Sequence, residues 1–489
     1  MMKVAIIGAG TGGLASAIRL AKLGHSVSVF EANDFIGGKV NEQWLGAYRF
    51  DMGPSVFTEP ELIEELVTLV HKDKSSFAYR RLEESCRYFF EDGQQVVIPS
   101  GMDKVSETFQ SAFGESSKRT HRFLKRLSLN YKALYPVFIE ASLHRRNQWM
   151  NKGIWKAIAC IPFYGMARSM SAVNRKTFRN PKSAQLLNRM ATYNGSSPYR
   201  TPGLLNIISH LEFNEGPAMP IGGMVSISKT LHELCLELGV SFYLGERVDE
   251  IKHSGNRVIG IRTTKQEFPC KLVVSNMDVH FTYERLLKGL HYPAKILNQE
   301  KSSSAIVFYW GMKKSFDQLG VHNIFFAKDY QAEFDSIFES KTRYEDPTIY
   351  IHITSKVEKD DAPEGSENWF VMVNAPINVG QDWDTFVADT RQSCLAKISK
   401  ALGKDIEPYI EVEAHNEPRK IESVYFGKQG SIYGNSSNSA FSAFYRHPNF
   451  STTLKGLYFA GVTVHPGGGI PLALNSAKIV ERCVREDYP

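Results

Sequence analysis

The sequence predicts an α/β protein organised around a parallel sheet, and three observations predict it. The apolar run "KVAII" (3–7) leads directly into "GAGTGG" and then into a segment of helical composition that ends on glycine. A glycine cluster followed by an apolar helical segment returns at 219–240 and again in "KGLYFAGVTVHPGGGIPLALNSAKIV" near the end of the chain. With 489 residues and 43% hydrophobic content, the chain is long enough for two or three domains, so pieces of one sheet can be dispersed along it.

The first element is the most specific. Residues 3–31 read as strand, turn, helix and strand, the last being "HSVSVFE" with its alternating pattern. In such a βαβ unit Gly8 makes the tight turn, Gly10 lets the backbone approach a diphosphate, and Gly13 permits close packing of helix on strand. The helix N-terminus supplies amides and a positive dipole end. Glu31, eighteen residues beyond Gly13, closes the second strand, where a carboxylate accepts from ribose hydroxyls. The unit is of the Rossmann dinucleotide-binding type.

The next elements select between NAD and FAD. "GGK" (37–39) and "FDMGPS" (50–55) follow the second strand: Lys39 is placed to meet a phosphate, and the turn Gly53-Pro54-Ser55 brings backbone close to a ribityl chain or flavin. Their combination favours FAD. "MPIGGMVSISKTLHELCLELGV" then reads as a glycine turn and helix, "SFYLGERVDEI" as a strand leading to Val248, and "KLVVSNMD" as a buried strand ending at Asn276. The terminal stretch supplies strand, glycine turn and helix, with Pro471 preset for the first helical turn.

Composition excludes several classes. The six cysteines (Cys86, Cys160, Cys235, Cys270, Cys394, Cys483) are scattered singly without a CxxC pair or a histidine cluster, so neither a metal site nor a disulfide framework is expected, and a reducing, cytoplasmic setting is. No segment has the ~20 apolar residues of a spanning helix. Charge is uneven: Lys118 to Lys182 holds 15 Lys and Arg against one acidic residue, Glu140, a local +14 in a chain whose total is +6. In this block Phe123, Leu127, Tyr131 and Leu134 form one helical stripe, with Arg119, Arg122, Lys125, Arg126 and Lys132 opposite. Trp149, Trp155, Phe163 and Tyr164 are interleaved with Arg145, Arg146, Lys152 and Lys156. Rings beside cations suit an anionic membrane surface; no nucleic-acid motif accompanies the charge.

Taken in order, "GAGTGG", "GGK", "DMGPS", "PIGGM", "VVSNMD", "HNIFF", "GSIYGNSS" and "GLYFAG…HPGGGIP" resemble the bacterial-type carotenoid (phytoene) desaturases, relatives of the amine oxidases, over essentially the whole chain. The look is closest to the hydroxycarotenoid 3,4-desaturases, with phytoene desaturases and carotenoid oxygenases as neighbours. The resemblance implies an FAD enzyme that removes two hydrogens beside a polyene, one as hydride to the flavin and one as a proton. It places Glu31 at the adenosine ribose, Gly38, Lys39, Gly53, Pro54, Ser55 and Val56 around the phosphates and ribityl chain, and Val248 against adenine. Asn276, Gly461, Gly468, Gly469, Ile470, Pro471 and Leu472 then fall along the rest of FAD. Two departures stand out: Val462 follows Gly461 where relatives often carry an acidic residue, and "GVHNIFF" offers only His322 where many relatives have paired histidines.

His465 and His322 are the candidates for proton handling, although a polyene-delocalised cation sheds its proton readily and needs no strong base. Tyr193 is a further candidate by position, and "NSAFSAFYRHP" (438–448) is a candidate tunnel lining. The expected organisation is a discontinuous FAD domain (1–75, 220–285 and 450–489), a strand-rich substrate domain (76–115 and 286–449) and a basic helical lid (116–219) lying on the membrane. The competing readings are a flavin amine oxidase and a non-enzymatic prenyl-binding escort resembling GDP-dissociation inhibitors; all three glycines, Glu31 and the terminal glycine turn favour a flavoenzyme.

Overall fold

The computed structural model describes residues 1–142, 144–150, 153–155, 165–439, 442 and 445–489. Phe163, Tyr164, Lys152 and Lys156 of the basic block, and Phe441 and Phe444 of the expected tunnel lining, lie outside the described residues.

The first strand, β1 (Lys3–Ile7), is buried along four of its five residues, as an apolar run flanked by strands on both sides must be. It pairs in parallel with β2 (Ser26–Phe30) through Val4 opposite Val27, and with Leu272–Ser275 through Val4 opposite Leu272. The full sheet is parallel, in the order Leu457–Phe459, Leu272–Ser275, β1, β2, Ser241–Tyr243. Thus strands far apart in sequence come together at one core. Helix α1 (Thr11–Lys22) packs between the C-terminal helix Ile470–Asp487 and the helix Val225–Glu237, over Val4, Ile6, Leu14, Ile18, Leu231 and Val480, all buried. Each such side chain contributes ~1.5–3 kcal/mol by leaving water.

A second sheet of seven strands runs Ile410–Asn416, Ser304–Met312, Glu367–Ala375, Ile349–Ile353, His322–Phe325, Glu84–Phe89, Gln95–Pro99. It is antiparallel except where His322–Phe325 meets Glu84–Phe89. Period-two alternation gives it two apolar faces. Ile306, Phe308, Trp310, Ile351, Trp369 and Val371 pack against the helix Trp383–Leu402, while Ala305, Val307, Ile324, Tyr350, Phe370 and Met372 face the other way, into the cavity described below.

The helix Ser117–Leu134 carries the basic block. Its buried residues are Thr120, Leu124, Leu127 and Leu134, and Phe123 leans on Phe178 at 5.2 Å between ring centres. Arg122, Lys125, Arg126, Leu129 and Lys132 are exposed. Beyond it, Trp149 and Trp155 pack ring against ring at 5.7 Å and are 40% and 56% exposed, beside a 79% exposed Met150. Arg145 departs from its expected surface role: its guanidinium makes paired bonds to Asp487 (2.8 and 2.7 Å) and lies over Phe450. No helix among the described residues is long and apolar enough to cross a membrane.

Candidate functional site

One continuous cavity of about 1060 Å³ runs from the glycine turn of the first βαβ unit to the inner face of the seven-stranded sheet. Of the residues singled out above, Gly8, Gly10, Glu31, Gly38, Lys39, Gly53, Pro54, Ser55, Val56, Val248, Asn276, Gly461, His465, Gly468, Gly469, Ile470, Pro471 and Leu472 line it, and so does Tyr193. Gly13 and His322 do not. Gly13 acts from behind: a Cβ there would stand 2.1 Å from the carbonyl oxygen of Gly8, so only glycine allows α1 to sit this close to β1.

At the dinucleotide end, Glu31 is buried and its carboxylate accepts from the backbone amide of Ala9 (2.8 Å) and from the backbone and side-chain amides of Asn33 (2.9 and 3.0 Å). These bonds hold the carboxylate at the cavity wall. Asn276 donates to the carbonyl of Ala460 at 3.0 Å, so the ends of the neighbouring strands Leu272–Ser275 and Leu457–Phe459 are tied where both reach the cavity. At the terminal turn a Cβ on Gly468 would meet the ring of Tyr433 at 2.5 Å; the triple glycine is what admits that ring, which also lines the cavity.

Three features show that this end suits an anionic, acceptor-rich ligand. Neither α1 nor the helix Ile470–Asp487 has a side-chain cap or an acidic residue in its first turn, so the amides and positive dipole ends of both helices point at the cavity unanswered. Lys39 donates from Nζ to the carbonyl of Ile432 at 2.7 Å and has no ion-paired carboxylate among the described residues. Burial pulls its pKa down to about 8, against the opposing pull of Asp278. Among the described residues Arg446, also buried, bonds only neutral acceptors, Asn435 O and Ser437 Oγ, and its Nη1 has no partner; burial lowers its pKa to about 10. A diphosphate and the carbonyls of a flavin would satisfy these donors, so the residues fit FAD.

The other end is apolar, lined by Leu134, Phe138, Leu204, Ile208, Phe370 and Met372 among others, with a few polar groups set into it. Arg189 is ion-paired with Glu212, which also accepts from Tyr193 and, at 3.2 Å, from Tyr88. Glu59 reaches the wall from a left-handed backbone (φ 54°). Arg446 falls within "NSAFSAFYRHP", the candidate tunnel lining, and does line the cavity, whereas Glu59 has no counterpart among the residues singled out from the sequence; its one signal is an acidic residue in "TEP" directly after the "DMGPSVF" loop.

The two histidines fare differently. His465 lines the cavity, with Nε2 donating to the carbonyl of Ala141 at 2.9 Å, and burial lowers its pKa to about 4. His322 stands behind the wall: Nδ1 bonds the Tyr350 hydroxyl at 2.8 Å and the ring stacks on His352, 4.9 Å away on the neighbouring strand. Burial, then the charge of Arg189, hold it at about 3. The histidine pair that the sequence seemed to lack is assembled across strands, and neither His322 nor His352 lines the cavity. Among the described residues no cluster of metal-ligating side chains is present, and Cys86, Cys235, Cys270, Cys394 and Cys483 are buried and free.

A parallel sheet with a glycine turn at its switch point, joined by one cavity to an antiparallel sheet, defines an FAD-dependent oxidoreductase. The family model described as "Flavin containing amine oxidoreductase" matches residues 11–484. The chain is 47% identical over 479 residues to a 1-hydroxycarotenoid 3,4-desaturase of Flavobacterium sp. (strain P99-3), covering 98% of each protein. It is 30% identical over 500 residues to a 4,4'-diapolycopene oxygenase of Methylomonas sp., covering 98% of this chain and 97% of the relative. An oxidoreductase from Methanosarcina mazei has the same fold, with a TM-score of 0.66, 17% identity and coverage of 99% and 100%. The chain belongs to the flavin-containing amine oxidoreductase family, in its carotenoid desaturase branch.

Proposed function

We propose that this enzyme introduces a carbon–carbon double bond into a carotenoid, with a 1-hydroxycarotenoid desaturated at the 3,4 position as its substrate and product pair. The observation that carries the reading is the single cavity, donor-rich at one end and apolar at the other, which lets a polyene lie against the cofactor without water. The 47% identical relative of that activity supports the choice of substrate.

In this reading Glu31 accepts from the adenosine ribose, Val248 borders adenine, and Lys39 with the amides of α1 meets the diphosphate. Gly38, the 53–56 loop and Asn276 border the ribityl chain, and Gly461 with the 468–472 turn borders the ring system. Bound FAD supplies a two-electron acceptor for hydride. Phe370, Met372 and Ile208 orient the polyene and exclude water. The exposed Trp149 and Trp155, with the cations of the helix Ser117–Leu134, form a face that docks on an anionic bilayer. The inner side of that helix, at Tyr131 and Leu134, is cavity wall, so substrate passes from lipid to cavity through this segment. The three-part division into FAD domain, substrate domain and basic lid follows the same reading.

The test is incubation of the flavin-loaded protein with liposomes and a panel of hydroxylated and non-hydroxylated carotenoids, with products separated by chromatography. A product two hydrogens lighter, formed from the hydroxylated substrates, is expected. Insertion of oxygen instead would place the enzyme with the oxygenases.

A further inference from the structure

The desaturation has a proton to dispose of, and of the carboxyl groups that line the cavity Glu59 is the one held by two tyrosines. Glu59 lines the cavity. Its backbone is left-handed at φ 54° immediately before Pro60, a conformation that non-glycine residues adopt at a cost and that clusters at functional positions. Tyr131 donates to its Oε1 at 2.6 Å, and Tyr135 also bonds the carboxyl. The Tyr135 hydroxyl in turn accepts from Nδ2 of Asn475 at 2.9 Å, and the same Nδ2 donates to the carbonyl of Pro471 at 3.0 Å. The carboxyl is therefore two hydrogen-bonded side chains from the terminal glycine turn.

Among the described residues Glu59 has no counter-ion. The helix Glu61–Leu69 that follows it brings Glu61, which is bridged to Arg81, and the 210–215 segment brings Glu215, which pairs with His210 at 3.3 Å. Lys132, on the helix that carries Tyr131, is exposed. Lys478 on the C-terminal helix is taken up by Glu65 (3.0 Å) and Glu140 (2.9 Å). Burial outweighs the two tyrosine bonds, Glu215 and Glu61 add to it, and the pKa is pushed up to about 7. A carboxyl poised there exchanges protons at working pH.

We propose that Glu59 is the proton acceptor of the desaturation. The proposal rests on the carotenoid reading above. As the substrate's C–C bond becomes C=C, FAD, when bound, would supply the acceptor for one hydrogen and its electron pair. The electron pair of the neighbouring C–H bond closes the new π bond, and its proton goes to a carboxylate oxygen of Glu59.

The experiment compares the flavin-loaded enzyme with Glu59→Gln and Glu59→Asp across pH 5.5–9. Turnover should rise with pH through one ionisation near 7, because the base must be ionised. Glu59→Gln should lose roughly 10²–10⁴-fold in kcat, the usual share of general base catalysis, and lose the pH limb. It should still bind FAD and still shift the absorption of a bound carotenoid. Glu59→Asp, which keeps the charge, should retain the limb at reduced rate, and it carries the test if the glutamine variant does not fold. Independently of turnover, difference infrared spectra should show a carboxylic acid band titrating near pH 7 that Glu59→Gln removes. Full-rate turnover by Glu59→Gln with an unchanged pH limb overturns the assignment and leaves the carotenoid reading intact. Failure of the unaltered enzyme to convert any carotenoid in the panel overturns both.

Discussion

Lys39 donates to the carbonyl of Ile432, 393 residues further along the chain, and so pins the loop after β2 to the segment that runs beside the terminal glycine turn. An ammonium held by a neutral carbonyl, with burial drawing its pKa to about 8, is a cation kept in readiness for a ligand's charge. A bound diphosphate would restore the ordinary lysine value. FAD binding to apoprotein should then take up a proton above about pH 8, and affinity should fall as pH rises through that window. Fluorescence titrations at several pH values check this, and Lys39→Met should bind FAD more weakly and lose the pH dependence.

Arg49 ties the front of the chain to the second sheet. It bonds Asp361 through Nε (2.6 Å) and Nη2 (2.7 Å), and Asp51 through Nη1 (2.9 Å), with all three side chains buried. Arg49→Ala strands two buried carboxylates. A loss of about 3–5 kcal/mol is expected by chemical denaturation.

His322 should prove structural. It is neutral in the fold down to about pH 3, whereas in the unfolded chain it protonates below about 6.5. The unfolded state therefore binds more protons between these values, and His322 costs the enzyme stability as pH falls through 6.5 toward 3. His322→Asn should flatten this acid limb in thermal melts. It should leave the shape of the pH–rate profile above pH 5 unchanged.

Docking on lipid should depend on the outer face of the basic helix. Reversing Arg122, Lys125 and Lys132 to Glu should weaken binding to anionic vesicles by roughly 1 kcal/mol per cation lost, before counting the added negative charge. Trp149→Ala with Trp155→Ala should weaken it further and less salt-dependently. Vesicle sedimentation at low and high salt separates the two contributions.

Gly468→Ala should empty the flavin site before it unfolds the protein. The added methyl meets the Tyr433 ring at 2.5 Å, and relief of such overpacking typically costs about 1–3 kcal/mol. Loss of visible flavin absorbance with little change in far-ultraviolet circular dichroism is the expected result.

What could be read from the sequence was local. "GAGTGG" and Glu31 lie within one βαβ unit, so spacing alone placed them, and the terminal "HPGGGIP" announced its turn through its own backbone demands. Glu59 could not be read, because its environment depends on Tyr131, 72 residues away, and on a helix whose stripe shows only that it faces inward. His322 was open to misreading for the same reason: its partner His352 arrives through strand register, not through a motif. Arg446 lies in the segment read as a tunnel lining, but its burial with no carboxylate partner among the described residues depends on the fold.

The parallel sheet draws its strands from residues 3–7, 26–30, 241–243, 272–275 and 457–459, and the cavity takes its last wall from 461–473. The glycine turn at 8–13 meets Phe30 and Gly37 early in synthesis, but the cavity beside it is not walled until 461–473 has been made. A complete cofactor pocket thus waits for residues 461–473, and until they are in place the apolar faces that line it stand open to chaperones and to aggregation.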